Sequence, residues 1–254
     1  MMVQLTNLAT PTDVESDVGD RLGGFTPLAS GLYQMNIDLA FIKPSASGAL
    51  GLNMHYSNDQ GQQMREVLWI VSGDAKGNNN FYVGRDGKKH LLPGMQMANA
   101  LCELAVGKQL SQLDSEEKVV SLYDPATQSE KPTKVQMVTD LLTKTSNQQV
   151  ILGIKHNIVD RNVKNDAGEY VPSGETRDEN IVDKVFAADS KMTIAERDGG
   201  ASEAVFIHQW SEKWSGKTTD KSTKVAAAAQ VPGGTATPPP AAAQPTKTLF
   251  PGQS

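Results

Sequence analysis

One cysteine in 254 residues, Cys102, excludes an intramolecular disulfide and leaves no cysteine set for zinc, which suits a reducing compartment. No segment approaches the roughly 20 consecutive apolar residues that span a bilayer. Met1 to Thr12 lacks the basic flank and apolar run of a secretory signal, so the expectation is a cytoplasmic protein without a membrane partner. The catalytic signatures are missing as well. There is no Gly-rich phosphate loop with its lysine and no Gly-x-Ser-x-Gly elbow. The four histidines, His55, His90, His156 and His208, are scattered, and none has a partner three or four residues on to form a metal-binding face. These absences predict a protein that is not an enzyme, with no cofactor and no metal. Excess positive charge is also lacking, since the formal net charge is −5. That argues against a phosphate-rich partner only for the molecule as a whole, because a groove needs just a local surplus of Lys and Arg.

Aromatic residues are few, yet Trp69, Phe81 and Tyr82 fall close together in β-like runs between Arg65 and Lys89. Arg65, Lys76, Arg85, Lys88 and Lys89 are interleaved with them, while acidic residues crowd elsewhere, at Asp13 to Asp20 and at Asp114 to Glu117. Single-stranded nucleic acid offers a protein π-faces that stack and phosphates that attract charge, and this segment carries residues suited to both. The competing assignment is packing, since most strand aromatics are core or cross-strand residues.

Period-two alternation marks strands at Tyr33 to Phe41 and Leu50 to Tyr56, joined by a loop that suits a hairpin. In the first, Tyr33, Met35, Ile37, Leu39 and Phe41 are expected on one face. Met64 to Val71 is apolar on both faces, and Asp86-Gly87 marks a tight turn after Phe81 to Val83. A helix is predicted from Pro93 to Val106 with Gly107 as its stop and Cys102 as a small buried hydrophobe. Short strands follow at Val119 to Tyr123 and Val135 to Val138, then a stronger one from Gln149 to Arg161. Residues 162 to 180 read as a polar loop. Thr193 and Glu196 have capping-box spacing, and a helix through Phe206, Ile207, Trp210 and Trp214 presents a stripe for docking on the sheet.

The ends differ in kind. Residues 1–24 read as a flexible polar lead-in, 25–214 as the folded domain, and 215–254 as a disordered Ala/Pro-rich tail. Val225 to Ser254 carries a single charge, Lys247, and too little apolar surface to offset chain entropy. Leu249 and Phe250 near its tip form an apolar pair suited to docking on a protein partner.

Several short segments carry a resemblance: Arg21-Leu22-Gly23-Gly24-Phe25, Gly31-Leu32-Tyr33, Leu92-Pro93-Gly94, Tyr123-Asp124-Pro125, Asp140-Leu141-Leu142, Leu152-Gly153-Ile154, Glu175-Thr176-Arg177, Asp183-Lys184-Val185-Phe186 and Lys191-Met192-Thr193. From about Arg21 to Trp214 the chain resembles the single-stranded-DNA-binding proteins of short-tailed bacteriophages that package a virion RNA polymerase. The resemblance implies coating of exposed strands during phage DNA replication and recombination in the cytoplasm of the infected bacterium. It also implies replication proteins or the host RNA polymerase as partners. An acidic tail is common in phage proteins of this function, and this chain departs from that pattern.

The sequence therefore predicts a mainly β fold with α additions, an OB-like antiparallel β-barrel followed by a disordered C-terminal tail. Trp69 and Tyr82 are the expected base-stacking residues, and Arg65, Lys88, Lys89 and Lys155 the expected phosphate contacts. Strand parity selects Trp69, because Leu68 and Ile70 share a face with Met64 whereas Trp69 shares the other with Arg65. The alternative reading is a virion structural or assembly protein.

Overall fold

The computed structural model describes residues 26–124, 127–142, 149–166 and 170–223. Its organising element is β1, Gly31–Pro44. Met35 and Ile37 are buried in the main core, and so is Ala40, which simple alternation would place opposite. A register shift between Ile37 and Leu39 inserts one residue and flips the parity. Leu39 and Phe41, expected on the same face as Met35, therefore pack on the other side of the sheet with Val135 and Met137.

The shift also bends β1 between two neighbours. Gly31 to Met35 pair with β8 (Val150–Lys164), and Asn36 to Pro44 pair with β2 (Leu50–Ser57). Strand β3 (Gln63–Val71) continues from β2, and β9 (Tyr170–Ala187) from β8, all antiparallel. A hairpin of β6 (Ser115–Asp124) and β7 (Ser129–Val138) attaches to β1 through Phe41 and Ile42, and β10 (Thr218–Asp220) runs parallel to β8. Strands β4 (Phe81–Val83) and β5 (Lys89–Leu91) form a separate two-stranded ribbon.

The expected OB-like barrel is not what this sheet makes. Among the described residues β3 pairs only with β2 and β9 only with β8, so the sheet stays open. Alternation within strands reveals which face is buried but carries no information on whether the two outermost strands meet. Here side chains and a helix span the seam. Helix α1 (Pro93–Val106) buries Ala98, Leu101, Cys102 and Ala105 in the core beneath it. Its start has Pro93 in the first turn, and Gly107 closes it at φ 72°, donating to the Glu103 carbonyl. Burial pushes the Cys102 thiol up to about 12, as expected for an inert packing residue.

Two further boundaries differ from expectation. Residues 162–180 are largely the outer half of the β8–β9 hairpin, whose exposed polar side chains mask a ladder built by the backbone. At the other end, the chain does not leave the fold at 214. The buried Ser30 hydroxyl donates to the Lys217 carbonyl and accepts from the His156 amide at 2.8 Å, and this holds β10 to the sheet. Helix α2 (Ile194–Asp198) begins at the Thr193/Glu196 capping box, and α3 (Phe206–Trp214) docks Ile207 and Trp210 on Ile151 and Phe186. No helix among the described residues is long and apolar enough to cross a membrane. The lead-in of residues 1–24 lies outside the described residues, as does the tail from residue 224 on, with Leu249 and Phe250.

A buried carboxyl lies at the seam. Glu66 of β3 accepts hydrogen bonds from the Tyr56 hydroxyl, at 2.9 Å, and from the backbone N–H of Val182 on β9. Burial raises its carboxyl to about 7 despite both bonds. The folded protein thus keeps a proton that the unfolded chain, titrating near 4.5, has released. Stability should fall as pH rises from about 4.5 to about 7 and be flat in this contribution on either side, a loss on the order of 1–3 kcal/mol. Denaturant titrations across pH 4 to 8 check this, and Glu66→Gln should flatten that part of the profile.

Candidate nucleic-acid interface

Strand β3 sorts its side chains strictly by parity. Met64, Leu68 and Ile70 are buried, whereas Arg65, Val67 and Trp69 face outward, with Trp69 49% exposed. The indole owes its position to two glycines. Gly51 lies directly opposite Trp69 on β2, and a Cβ there would come within 3.3 Å of the indole and 2.6 Å of Val67 Cγ1. Without a side chain at Gly51 the ring can lie across the sheet. Gly94, in the first turn of α1, packs against the Trp69 backbone so closely that a Cβ would strike its carbonyl oxygen. The backbone beneath the indole is thereby fixed from both sides.

The same cross-strand row continues to β1, where Lys43 pairs with Gly51 and is exposed. Lys43, Gly51 and Trp69 thus stand abreast. Sequence reading passed over Lys43 because its strand changes parity at the bulge, which could not be seen from the pattern. Two rows along, past Asn53 and Val67, His55 stands opposite Arg65 and edge-on to Phe41, with ring centroids 5.9 Å apart. Burial, and then the charge of Arg65, lower the His55 pKa and so disfavour the imidazolium.

The β4–β5 ribbon springs from the Trp69 end of β3, its base fastened by Ser72 N–H to Asn79 O and Leu92 N–H to Asn80 O. Tyr82 is 49% exposed, with one ring face stacked on His90 at 5.5 Å. Lys89 places its ammonium 4.4 Å over Phe81, and Lys88 is exposed beside it. Arg65 therefore shares a face with Trp69, while Tyr82, Lys88 and Lys89 occupy the adjoining ribbon.

Pairing distinguishes these cations from many of the others. Over much of the molecule Lys and Arg are matched with acids: Lys108 with Asp140, Lys118 with Glu116, Lys131 with Asp124, Lys134 with Glu117, Arg161 with Glu175, Arg197 with Glu103. Among the described residues no carboxylate forms an ion pair with Lys43, Arg65, Lys76, Arg85, Lys88 or Lys89. The Asp86 carboxylate instead contacts the His90 ring nitrogen at 3.1 Å. These unmatched cations lie around the exposed aromatics, where they can act on a ligand.

Lys155 is placed elsewhere. It is 14% exposed, sits 3.4 Å over the Trp214 ring and pairs with Asp183 at 2.9 Å, so it joins α3 to the sheet. Burial raises the Asp183 carboxyl, but hydrogen bonds from Trp210 and Lys155 outweigh it and hold the group below its ordinary value. The alternating pattern of β8 could not show that α3 covers this position.

Two adjoining depressions border β3. A furrow of about 430 Å³ beside Trp69 is walled by Val67, Leu92, Pro93, Gly94, Met97 and Val182. A cleft of about 690 Å³ lies between Gln63–Val67 of β3 and Arg177–Ile181 of β9. No cluster of His, Cys, Asp and Glu suited to a metal occurs among the described residues. No protein-family profile, curated protein or solved structure matches this chain.

Lys155→Ala should lower stability by about 1–3 kcal/mol, because it removes the cation from both Asp183 and the Trp214 face. Binding to any ligand at the Trp69 face should be unchanged for the folded variant. Thermal melts alongside a binding isotherm check both halves of that expectation.

Proposed function

We propose that this protein binds single-stranded DNA with little sequence preference, coating exposed strands during phage DNA replication and recombination. The observation that carries the reading is the row of Lys43, Gly51 and Trp69, with Arg65 on the same face and, among the described residues, no acid paired to either cation. A flat indole held over a glycine suits stacking on any base, because every base has a π-face. Cations on both sides of it suit the phosphates of the same strand. Tyr82 offers a second ring, with Lys88 and Lys89 beside it. The segments quoted above that resemble phage single-stranded-DNA-binding proteins favour the same function and suggest replication proteins or the host RNA polymerase as partners.

The mechanism needs no chemistry on the nucleic acid. Duplex DNA keeps its bases stacked inside, so the aromatic contribution is available only to unpaired strands. Binding should therefore be much tighter for single-stranded than for double-stranded oligonucleotides and should weaken steeply with salt. Each phosphate neutralised contributes about −0.7 to the slope of log affinity against log salt. Trp69→Ala should cost about 1–3 kcal/mol of binding while leaving the melting temperature nearly unchanged, since the indole is half exposed. Equal affinity for duplex, or no salt-sensitive affinity for either form, would refute the function and favour a structural role in the virion.

A further inference from the structure

We infer that a strand bound at Trp69 continues into the cleft between β3 and β9, where Arg177 on the far wall takes its next phosphates. The inference rests on the single-stranded-DNA reading above and adds a path and a second cation to it. The furrow beside Trp69 and the cleft adjoin. They share Val67 on β3, and on β9 the wall passes from Val182 directly to Ile181. From Arg65 to Trp69 the strand rises roughly 13 Å, a length that several nucleotides rather than one must cover.

The cleft brings Arg65 and Arg177 to opposite walls. Arg65 has no acidic partner among the described residues. Arg177 holds Glu179 at 3.0 Å, but this pair is exposed, and exposed pairs contribute little to stability. A phosphate can replace that carboxylate and accept a bidentate contact from the guanidinium. The other acids of the cleft are already engaged. Asp178 bonds to His156 at 2.7 Å, and the Glu66 carboxyl is turned inward to Tyr56 and Val182. Held near 7 by burial, Glu66 is largely without charge in mildly acidic solution and presents no fixed repulsion to a phosphate there. Glu179 is then the natural competitor for Arg177, which sets opposite expectations for two neighbouring residues.

The test measures the full-length chain with oligothymidylates of 4 and 20 nucleotides by fluorescence anisotropy at several salt concentrations. Wild type, Trp69→Ala, Arg177→Ala and Glu179→Gln are compared, with melting temperatures taken alongside. Arg177→Ala should weaken binding of the 20-mer about three- to ten-fold and reduce its salt slope by about 0.7, with little change for the 4-mer. Glu179→Gln should tighten the 20-mer by about two-fold or more. If Trp69→Ala is impaired while Arg177→Ala and Glu179→Gln both bind the 20-mer as wild type does, the strand leaves the protein at Trp69 and the path through the cleft is wrong. If wild type binds neither oligonucleotide, the single-stranded-DNA reading itself fails, and the path fails with it.

Discussion

The inserted residue near Leu39 is the constraint on which the other elements depend. It lets one continuous strand present Met35 and Ile37 to the core on one side of the shift and Phe41 to the opposite surface on the other. Without it β1 could not pair with β8 at one end and β2 at the other while keeping an apolar face inward throughout. The outward turn also gives the β6–β7 hairpin its anchor, because Phe41 packs with Val135 and Met137 outside the sheet. Lys43 follows Phe41 by two residues and so emerges on that outer face, abreast of Trp69. A backbone irregularity in the middle of β1 therefore decides the composition of a surface two strands away.

Charge is arranged by local cancellation. The molecule is acidic as a whole, yet many of its carboxylates are tied to a neighbouring cation on the same hairpin or helix. Such pairs add little to stability in water, but they quench each other's field within a few ångströms. Among the described residues the cations of β1, β3 and the β4–β5 ribbon lack that compensation, so their field extends into solvent. A net charge of −5 and an attractive surface for an anion are thus compatible in one chain.

How much of this was legible in the sequence varied with the range of the interaction that decides it. Helix α1, its proline start and glycine stop, the Thr193 capping box and the outward face of β3 all follow from contacts within a few residues, and the pattern reveals them. Closure of the sheet was not legible, because it depends on whether β3 and β9, more than a hundred residues apart, share a hydrogen-bond ladder. The polar half of the β8–β9 hairpin was hidden for another reason. Its side chains face water, so the backbone ladder leaves no apolar signature. At the site, Trp69 and Arg65 were readable from parity, whereas Lys43 was masked by the bulge and the burial of Lys155 by a helix that packs over it from far along the chain.

The placement of the three tryptophans has an optical consequence. Trp210 is buried with its ring nitrogen bonded to Asp183, and Trp214 is capped by Lys155, so both indoles sit in surroundings set by the fold. Trp69 alone lies half in solvent on the face between Lys43 and Arg65. Stacking of a base quenches an indole by direct contact, and only this one is open to it. If a strand stacks there as proposed, the emission of the unlabelled protein divides into a constant fraction that reports folding and a variable fraction that reports occupancy of a single surface.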